Sequence, residues 1–551
     1  MVTSPETDKS KLATNMIEAE ENRSTAAAAD QPSPLTTDVF EEGLSIHAAE
    51  QEHFATDHLL VDLKGRTISS GVVTMVAQGA QFVLMLVSTM VLARLLTPQD
   101  FGLVAMVTTV IGFFRIFNDA GLSTATVQRE GITHAQVSNL FWTNVTLGVT
   151  ISLILAVSAP AVGWFYQEPR LVSITLALSI TFLFTTSTVQ HMALLKRQMR
   201  FKAIALIQVS SVAGGILTGI GMAFFKCGSW SLVGMQLATP MLALLLTWSA
   251  SRWRPQLPTR RSGTRSLLSF GANLTASSFL WSLARGSDSL LIGRFYGPAS
   301  LGLYSRAAAL LNRPLEQAMA PLEAVFVPTF SRLQAQPERY RRIAFQVYDS
   351  VAVGSFPFAG MLLALAHPLT LVVLGPKWES AAMIFAGFTL VALYVPITCV
   401  AGWLLSSQGR GRDYMILSSI CSSATVLFFL VGLRFGPVGV AISYSLSCLL
   451  VQLPVAYYIV GRRGPVTTRD LWSRFFKHLP LWGVVGGATW LIRTLVSNFA
   501  PAEQLLICAP LGLLAGVAFV CSYAPSRHAA MNLMIVFQEL LKSRRYSSDT
   551  S

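Results

Sequence analysis

Apolar runs of about 20 residues recur from residue 68 to residue 524, separated by short segments carrying Arg, Lys, Gly and Pro. A run of that length, wound as a helix, matches the hydrocarbon thickness of a bilayer. The pattern predicts spans over 68–93, 100–125, 138–165, 171–195, 203–225, 230–250, 266–295, 299–330, 343–366, 379–405, 414–434, 437–460, 475–497 and 503–524. The expected fold class is therefore all-α, a multi-pass membrane protein of about 14 transmembrane helices. Residues 1–62 lack apolar periodicity and are rich in Ala, Ser, Thr, Glu and Asp, so they read as a disordered acidic tail. No basic segment followed by an apolar core marks a signal peptide at the start. Within residues 527–551, MNLMIVFQELL reads as a short amphipathic helix at the membrane surface.

The apolar pattern repeats. Residues 93–103 read ARLLTPQDFGL and residues 293–303 read GRFYGPASLGL. At an offset of 200, Arg94 matches Arg294, Pro98 matches Pro298, Gly102 matches Gly302 and Leu103 matches Leu303. Each motif closes one span and opens the next at the same topological place. The reading is a duplication: a six-helix lobe over 63–262, a second over 263–462, and two extra helices over 463–526. Lobes six spans apart share one orientation, a transporter plan with substrate between the halves.

Composition sharpens this. The chain is 52% hydrophobic and 13% charged, against about 25% charged for soluble domains. The net charge of +13 conceals an asymmetry: residues 1–62 hold 13 of the 28 acids and 3 of the 41 bases. The remaining bases lie between apolar spans, so they report loop topology rather than nucleic-acid binding. With the N-terminus placed in the cytoplasm, 27 Lys and Arg fall on the cytoplasmic side and 7 on the other. That bias favours an even number of spans with both termini inside. The six cysteines form no CxxC or Cys/His cluster and read as packing residues. No metal, cofactor or catalytic constellation is visible, and no Walker motif is present to hydrolyse ATP.

Charges inside the spans mark the candidate chemistry, because an ion in hydrocarbon faces a partner or a wet cavity. Arg285 and Asp288 share a face of span seven. Arg306, Arg313, Glu316 and Glu323 fall within an arc of about 100° on span eight. Arg115 lies in span two with Asp119 at i+4. The expected cavity cations are Arg285, Arg306, Arg313 and Arg115, with Asp288, Glu316, Glu323 and Asp119 as charge or ion-coupling partners. The competing reading makes the same residues ion pairs that fix helix packing. His191 and the Gly215-xxx-Gly219 face read as packing features. Pro314, Pro321 and Pro328 predict a bent span eight.

Taken together, VLARLLTPQDFGLVAM (91–106), DAGLSTATVQRE (119–130), LLKRQMRFKAIALIQ (194–208), the Trp230 and Arg252-Trp253 flanks of span six, SFGANLTAS, DSLLIGRFYGPASLGLYSRA and LGPKW (374–378) carry a resemblance. The chain resembles Wzx-type polysaccharide-lipid flippases of the multidrug/oligosaccharidyl-lipid/polysaccharide superfamily, nearest the colanic-acid and succinoglycan exporter branch. The resemblance runs over about residues 66–525. It implies two six-helix lobes in a V plus two C-terminal helices. It also implies movement of undecaprenyl-diphosphate-linked oligosaccharide repeat units across the bacterial inner membrane, without covalent catalysis. Implied partners are the lipid-linked oligosaccharide, membrane lipids, a polysaccharide polymerase and a chain-length regulator. The alternatives are an ion-coupled multidrug-type exporter, a peptidoglycan-precursor flippase, and a polymerase or ligase acting on lipid-linked sugars.

Overall fold

The computed structural model describes residues 63–115, 117–118, 121–129, 132–258, 265–524, 526–527 and 531. Side chains are described from Ser70 onward, except Ala125 and those of 265–285. The acidic tail and the expected C-terminal amphipathic helix lie outside the described residues.

Among the described residues the chain is helical and multi-pass. In order the helices are α1 (Leu63–Leu95), α2 (Pro98–Arg115), α3 (Leu122–Gln128), α4 (His134–Tyr166), α5 (Arg170–Ser179), α6 (Thr181–Arg197), α7 (Phe201–Phe224), α8 (Ser229–Ser251) and α9 (Arg265–Arg332). There follow α10 (Pro337–Ala364), α11 (Ala366–Leu374), α12 (Glu379–Phe388), α13 (Val391–Ser407), α14 (Gly411–Leu433), α15 (Gly436–Ser447), α16 (Leu453–Gly461), α17 (Thr468–Leu495) and α18 (Pro501–Ser522). Nine helical stretches among the described residues are long and apolar enough to cross a membrane. A tenth arises if Pro376–Phe388 and Val391–Ser407, bent by 45°, count as one.

Local sequence sets the helix ends. Thr133 and Gln136 form a reciprocal capping box at the start of α4, as Thr467 and Asp470 do at the start of α17. α9 is two helices joined at Gly297, whose φ of 77° suits a residue without a β-carbon. Two expectations change here. Span two is not one helix over 100–125: α2 stops at Arg115, Phe117 and Asn118 form a turn, and α3 begins at Leu122. Span nine is followed by α11, a short helix in the segment expected to be the loop between spans nine and ten.

Alternation of the helices creates two faces. On the Gly297 face the α1 end is tied to the last turn of α11 and the loop after it. Arg94 donates to the Val372 carbonyl (3.1 Å), Lys377 to the Arg94 carbonyl (3.2 Å) and the Trp378 indole to the Ala93 carbonyl (2.8 Å). On the Arg332 face, Arg200 donates to the Ala250 carbonyl (3.0 Å) and Arg341 pairs with Asp470 (2.8 Å).

α2 packs along α9, and this is the joint between the expected lobes. The duplicated motifs meet there. A β-carbon on Gly102 would lie 1.6 Å from the Pro298 carbonyl oxygen, and one on Gly302 would lie 1.8 Å from the Pro98 carbonyl oxygen. Gly215 and Gly219 press on Thr239 and Met235 of α8, a close packing face as expected. His191 is fully buried and stacks on Trp248 with ring centroids 4.5 Å apart.

Candidate functional site

The α2–α9 joint floors a cavity of about 620 Å³ walled by α1, α2, α6, α7, α8 and α9. α2 and the second half of α9 both start at the Gly297 face. With a rise of about 1.5 Å per residue, Arg306 lies about 12 Å from that face and Arg115 about 25 Å. The two guanidinium groups thus line the cavity at different depths.

Arg306 is half-buried, and its guanidinium carbon lies 4.9 Å from the centroid of the Phe101 ring. Stacking on an aromatic face stabilises a cation without neutralising it. Its Nε is buried without an acceptor, and among the described residues no carboxylate pairs with it. Arg115, at the last turn of α2, is exposed to the cavity. Among the described residues no Asp or Glu lines this space. Its polar walls are hydroxyls and amides: Ser88, Thr89, Thr108, Thr109, Thr181, Thr185, Thr239, Ser289, Ser305, Asn118 and Gln236.

Several of these hydroxyls donate to a backbone carbonyl three or four residues earlier. Thr108 donates to the Val104 carbonyl (2.9 Å), Thr109 to the Ala105 carbonyl (2.8 Å) and Thr181 to the Leu178 carbonyl (2.6 Å). Their lone pairs remain available as acceptors. The cavity thus combines fixed cations with hydroxyl acceptors, a chemistry suited to an anion that carries sugar hydroxyls.

The other expected site residues fall elsewhere. Asp288 accepts from the Tyr304 hydroxyl (2.9 Å) and from the Ser289 backbone N–H (2.6 Å), so this carboxylate is held by the protein one residue from the cavity wall. Arg313 and Glu316 form a loose pair at 3.9 Å with side chains 62% and 55% exposed, and neither lines the cavity. Glu323 is exposed. The shared arc on span eight therefore splits: only Arg306 turns toward α2 and Phe101. The side chain of Arg285 and the whole of Asp119 lie outside the described residues. The pairing expected between Arg115 and Asp119 therefore also falls outside the described residues.

Phe101, Asn118, Ser289 and Ser305 were not singled out from the sequence. The adjacent Thr108-Thr109 and the i,i+4 pair Thr181/Thr185, set in apolar runs, were the available signal.

Residues 91–383 match the family described as polysaccharide biosynthesis protein. Lipopolysaccharide biosynthesis protein WzxC of Escherichia coli (strain K12) is 25% identical over 430 residues, covering 76% of this chain and 87% of that protein. Succinoglycan biosynthesis transport protein ExoT of Rhizobium meliloti (strain 1021) is 26% identical over 300 residues, covering 54% of this chain and 61% of that protein. Among solved structures, the lipid II flippase MurJ in an inward closed conformation superposes with a TM-score of 0.64 at 13% identity. That match covers 83% of this chain and 99% of that one, a likeness of fold.

Proposed function

We propose, because this chain belongs to the polysaccharide biosynthesis protein family, that it translocates undecaprenyl-diphosphate-linked oligosaccharide repeat units across the bacterial inner membrane for exopolysaccharide or lipopolysaccharide assembly. The observation that carries this reading is that Arg306 and Arg115 line one cavity with no carboxylate among the described residues of its walls. A diphosphate moving through a low-dielectric layer needs fixed cations, or it pays the full desolvation of an unpaired anion. A guanidinium held over Phe101 with no carboxylate partner among the described residues is ready to receive one. The hydroxyl-lined walls supply acceptors for sugar hydroxyls.

In this reading the Gly297 face is periplasmic, the Arg332 face is cytoplasmic, and the 14 expected spans place both termini inside. The lobes are 63–262 and 263–462, with 463–526 as the extra pair. The α2–α9 crossing closes the periplasmic side, so the cavity is offered to the cytoplasmic leaflet where the lipid-linked unit is built. The protein moves its substrate without making or breaking a covalent bond. A polymerase and a chain-length regulator are its expected neighbours on the product side.

The test is a strain lacking its own repeat-unit flippase, complemented with this chain. Restored surface polymer, with lipid-linked repeat units no longer accumulating on the cytoplasmic leaflet, is the expected result. Unrelieved accumulation despite normal membrane levels, across strains making different repeat units, would overturn the reading.

A further inference from the structure

The interruption of span two is held by a row of buried hydrogen bonds that the cavity alone does not explain. α2 is described to Arg115; Phe117 N–H then donates to the Phe114 carbonyl (3.0 Å) and Asn118 N–H to the Arg115 carbonyl (3.2 Å), both turn bonds, before α3 begins at Leu122. Irregular backbone at membrane depth survives only against protein or a wet cavity. Here it has both. Asn118 lines the cavity, and its carbonyl accepts from Asn144 Nδ2 of α4 (3.3 Å). Asn144 Oδ1 in turn accepts from Gln190 Nε2 of α6 (3.4 Å), and Gln190 Oε1 accepts from the Thr126 hydroxyl of α3 (2.7 Å). Arg197, at the end of α6, donates to the carbonyls of Thr126 (3.1 Å) and Arg129 (2.6 Å) and so caps the end of α3.

The side chain of Asn118 is fixed as well. Its Nδ2 donates to the Thr185 hydroxyl (3.3 Å), whose own proton is committed to the Thr181 carbonyl (2.9 Å). Thr185 can therefore only accept, which sets the orientation of the amide.

Asn144, Gln190 and Thr126 are each 0% exposed. Burying three neutral polar side chains costs free energy unless every partner is in place. Apolar residues would pack these helices without that cost. The chain of bonds converges on one spot, the turn that follows Arg115.

We propose that Gln190, with Asn144 and Thr126, is a positioning residue for Arg115: it fixes the break in span two so that the guanidinium is presented into the cavity. The claim rests on the reading that Arg115 meets the anionic head group. Gln190 touches no substrate and acts through the Asn118 turn.

Binding of undecaprenyl diphosphate to the full-length protein in lipid nanodiscs tests it by a double-mutant cycle. Arg115→Ala is expected to weaken binding about tenfold, the loss of one charge-assisted bond. Gln190→Leu is expected to weaken it to a similar degree alone, to add nothing in the Arg115→Ala background, and to add in full to Arg306→Ala. If the Gln190→Leu loss adds in full to Arg115→Ala, or if Gln190→Leu binds like the parent, the positioning role is overturned. Should Gln190→Leu fail to accumulate, Gln190→Glu takes its place in the same cycle. It keeps the volume and the acceptor for Thr126, and in its ionised form loses the donor to Asn144. If neither arginine variant weakens binding, the anion-cavity reading falls and the positioning role falls with it. That result is distinct from one in which the arginines matter and Gln190 does not.

Discussion

Gly102 and Pro298 meet backbone to backbone across the α2–α9 joint, and Gly302 meets Pro98 in the same way, so the two copies of the duplicated motif cross with each glycine lying on the other's proline carbonyl. The similarity at an offset of 200 is thus a physical contact. A self-complementary crossing of this kind is what a pseudo-two-fold relation between repeats produces.

The crossing tolerates no side chain. Gly102→Ala puts a methyl 1.6 Å from a backbone oxygen that cannot rotate away. Overpacking typically costs about 1–3 kcal/mol, and a backbone obstacle belongs at the upper end. Thermal unfolding of the purified protein should show a clear drop in Tm for Gly102→Ala and for Gly302→Ala. An unchanged Tm in both would show that the joint is looser than its geometry.

Trp378 locks the same face. Its indole N–H donates to the Ala93 carbonyl at 2.8 Å while its ring packs edge-on against Phe101, 5.2 Å between centroids. Trp378→Phe keeps most of the ring and removes the donor, leaving a buried carbonyl without it. A loss of about 1–3 kcal/mol is expected, read as a lowered midpoint in thermal unfolding. Trp378→Ala should cost more, since the contact with Phe101 beneath Arg306 goes too.

The Arg332 face carries a pH-dependent bond. Partial burial works against ionisation of Asp470, but hydrogen bonds from the Thr467 backbone N–H and Arg341 outweigh it and hold the carboxyl below its ordinary value. A carboxyl lowered in the folded state contributes stability that is fully present above the unfolded value, about 3.9, and is lost as pH falls through the folded value. Asp470→Asn should therefore lower Tm at pH 7, and the gap to the parent should narrow below about pH 4. A gap that widens on acidification would contradict the assignment.

Arg313 and Glu316 make the contrasting case. Their pair is long at 3.9 Å and more than half exposed, and such pairs contribute about 0–1 kcal/mol. Arg313→Ala should leave Tm nearly unchanged and reduce export far less than Arg306→Ala. Equal loss of export in the two variants would place Arg313 on the substrate path.

The apolar runs, the Gly297-Pro298 turn and the repeat were legible in the sequence because each depends on local chemistry or on chain-long periodicity. The site was half legible. Arg306 and Arg313 share an arc on one helix, and nothing local says which will be covered. Phe101, more than 200 residues earlier, decides it by lying under Arg306. The break after Arg115 was hidden for the same reason. VIGFFRIF reads as continuous apolar helix, and the bonds that hold the turn open come from Asn144 and Thr185 on other helices. LGPKW stood out as a motif, but its task of tying Trp378 to Ala93 exists only once the helices are assembled.

Arg306, whose guanidinium pairs with no carboxylate among the described residues, is the group proposed to receive the anion. No carboxylate among the described residues depends on it, so removing it leaves no orphaned acid and should not lower the amount of protein in the membrane. The direct measurement is polymer export in the complemented flippase-null strain, for Arg306→Ala and Arg306→Lys at matched membrane levels. Alanine is expected to abolish export. Lysine, which keeps the charge but loses the bidentate fork, is expected to restore part of it. Export by Arg306→Ala at the parent rate would rule out Arg306 as the anion's partner.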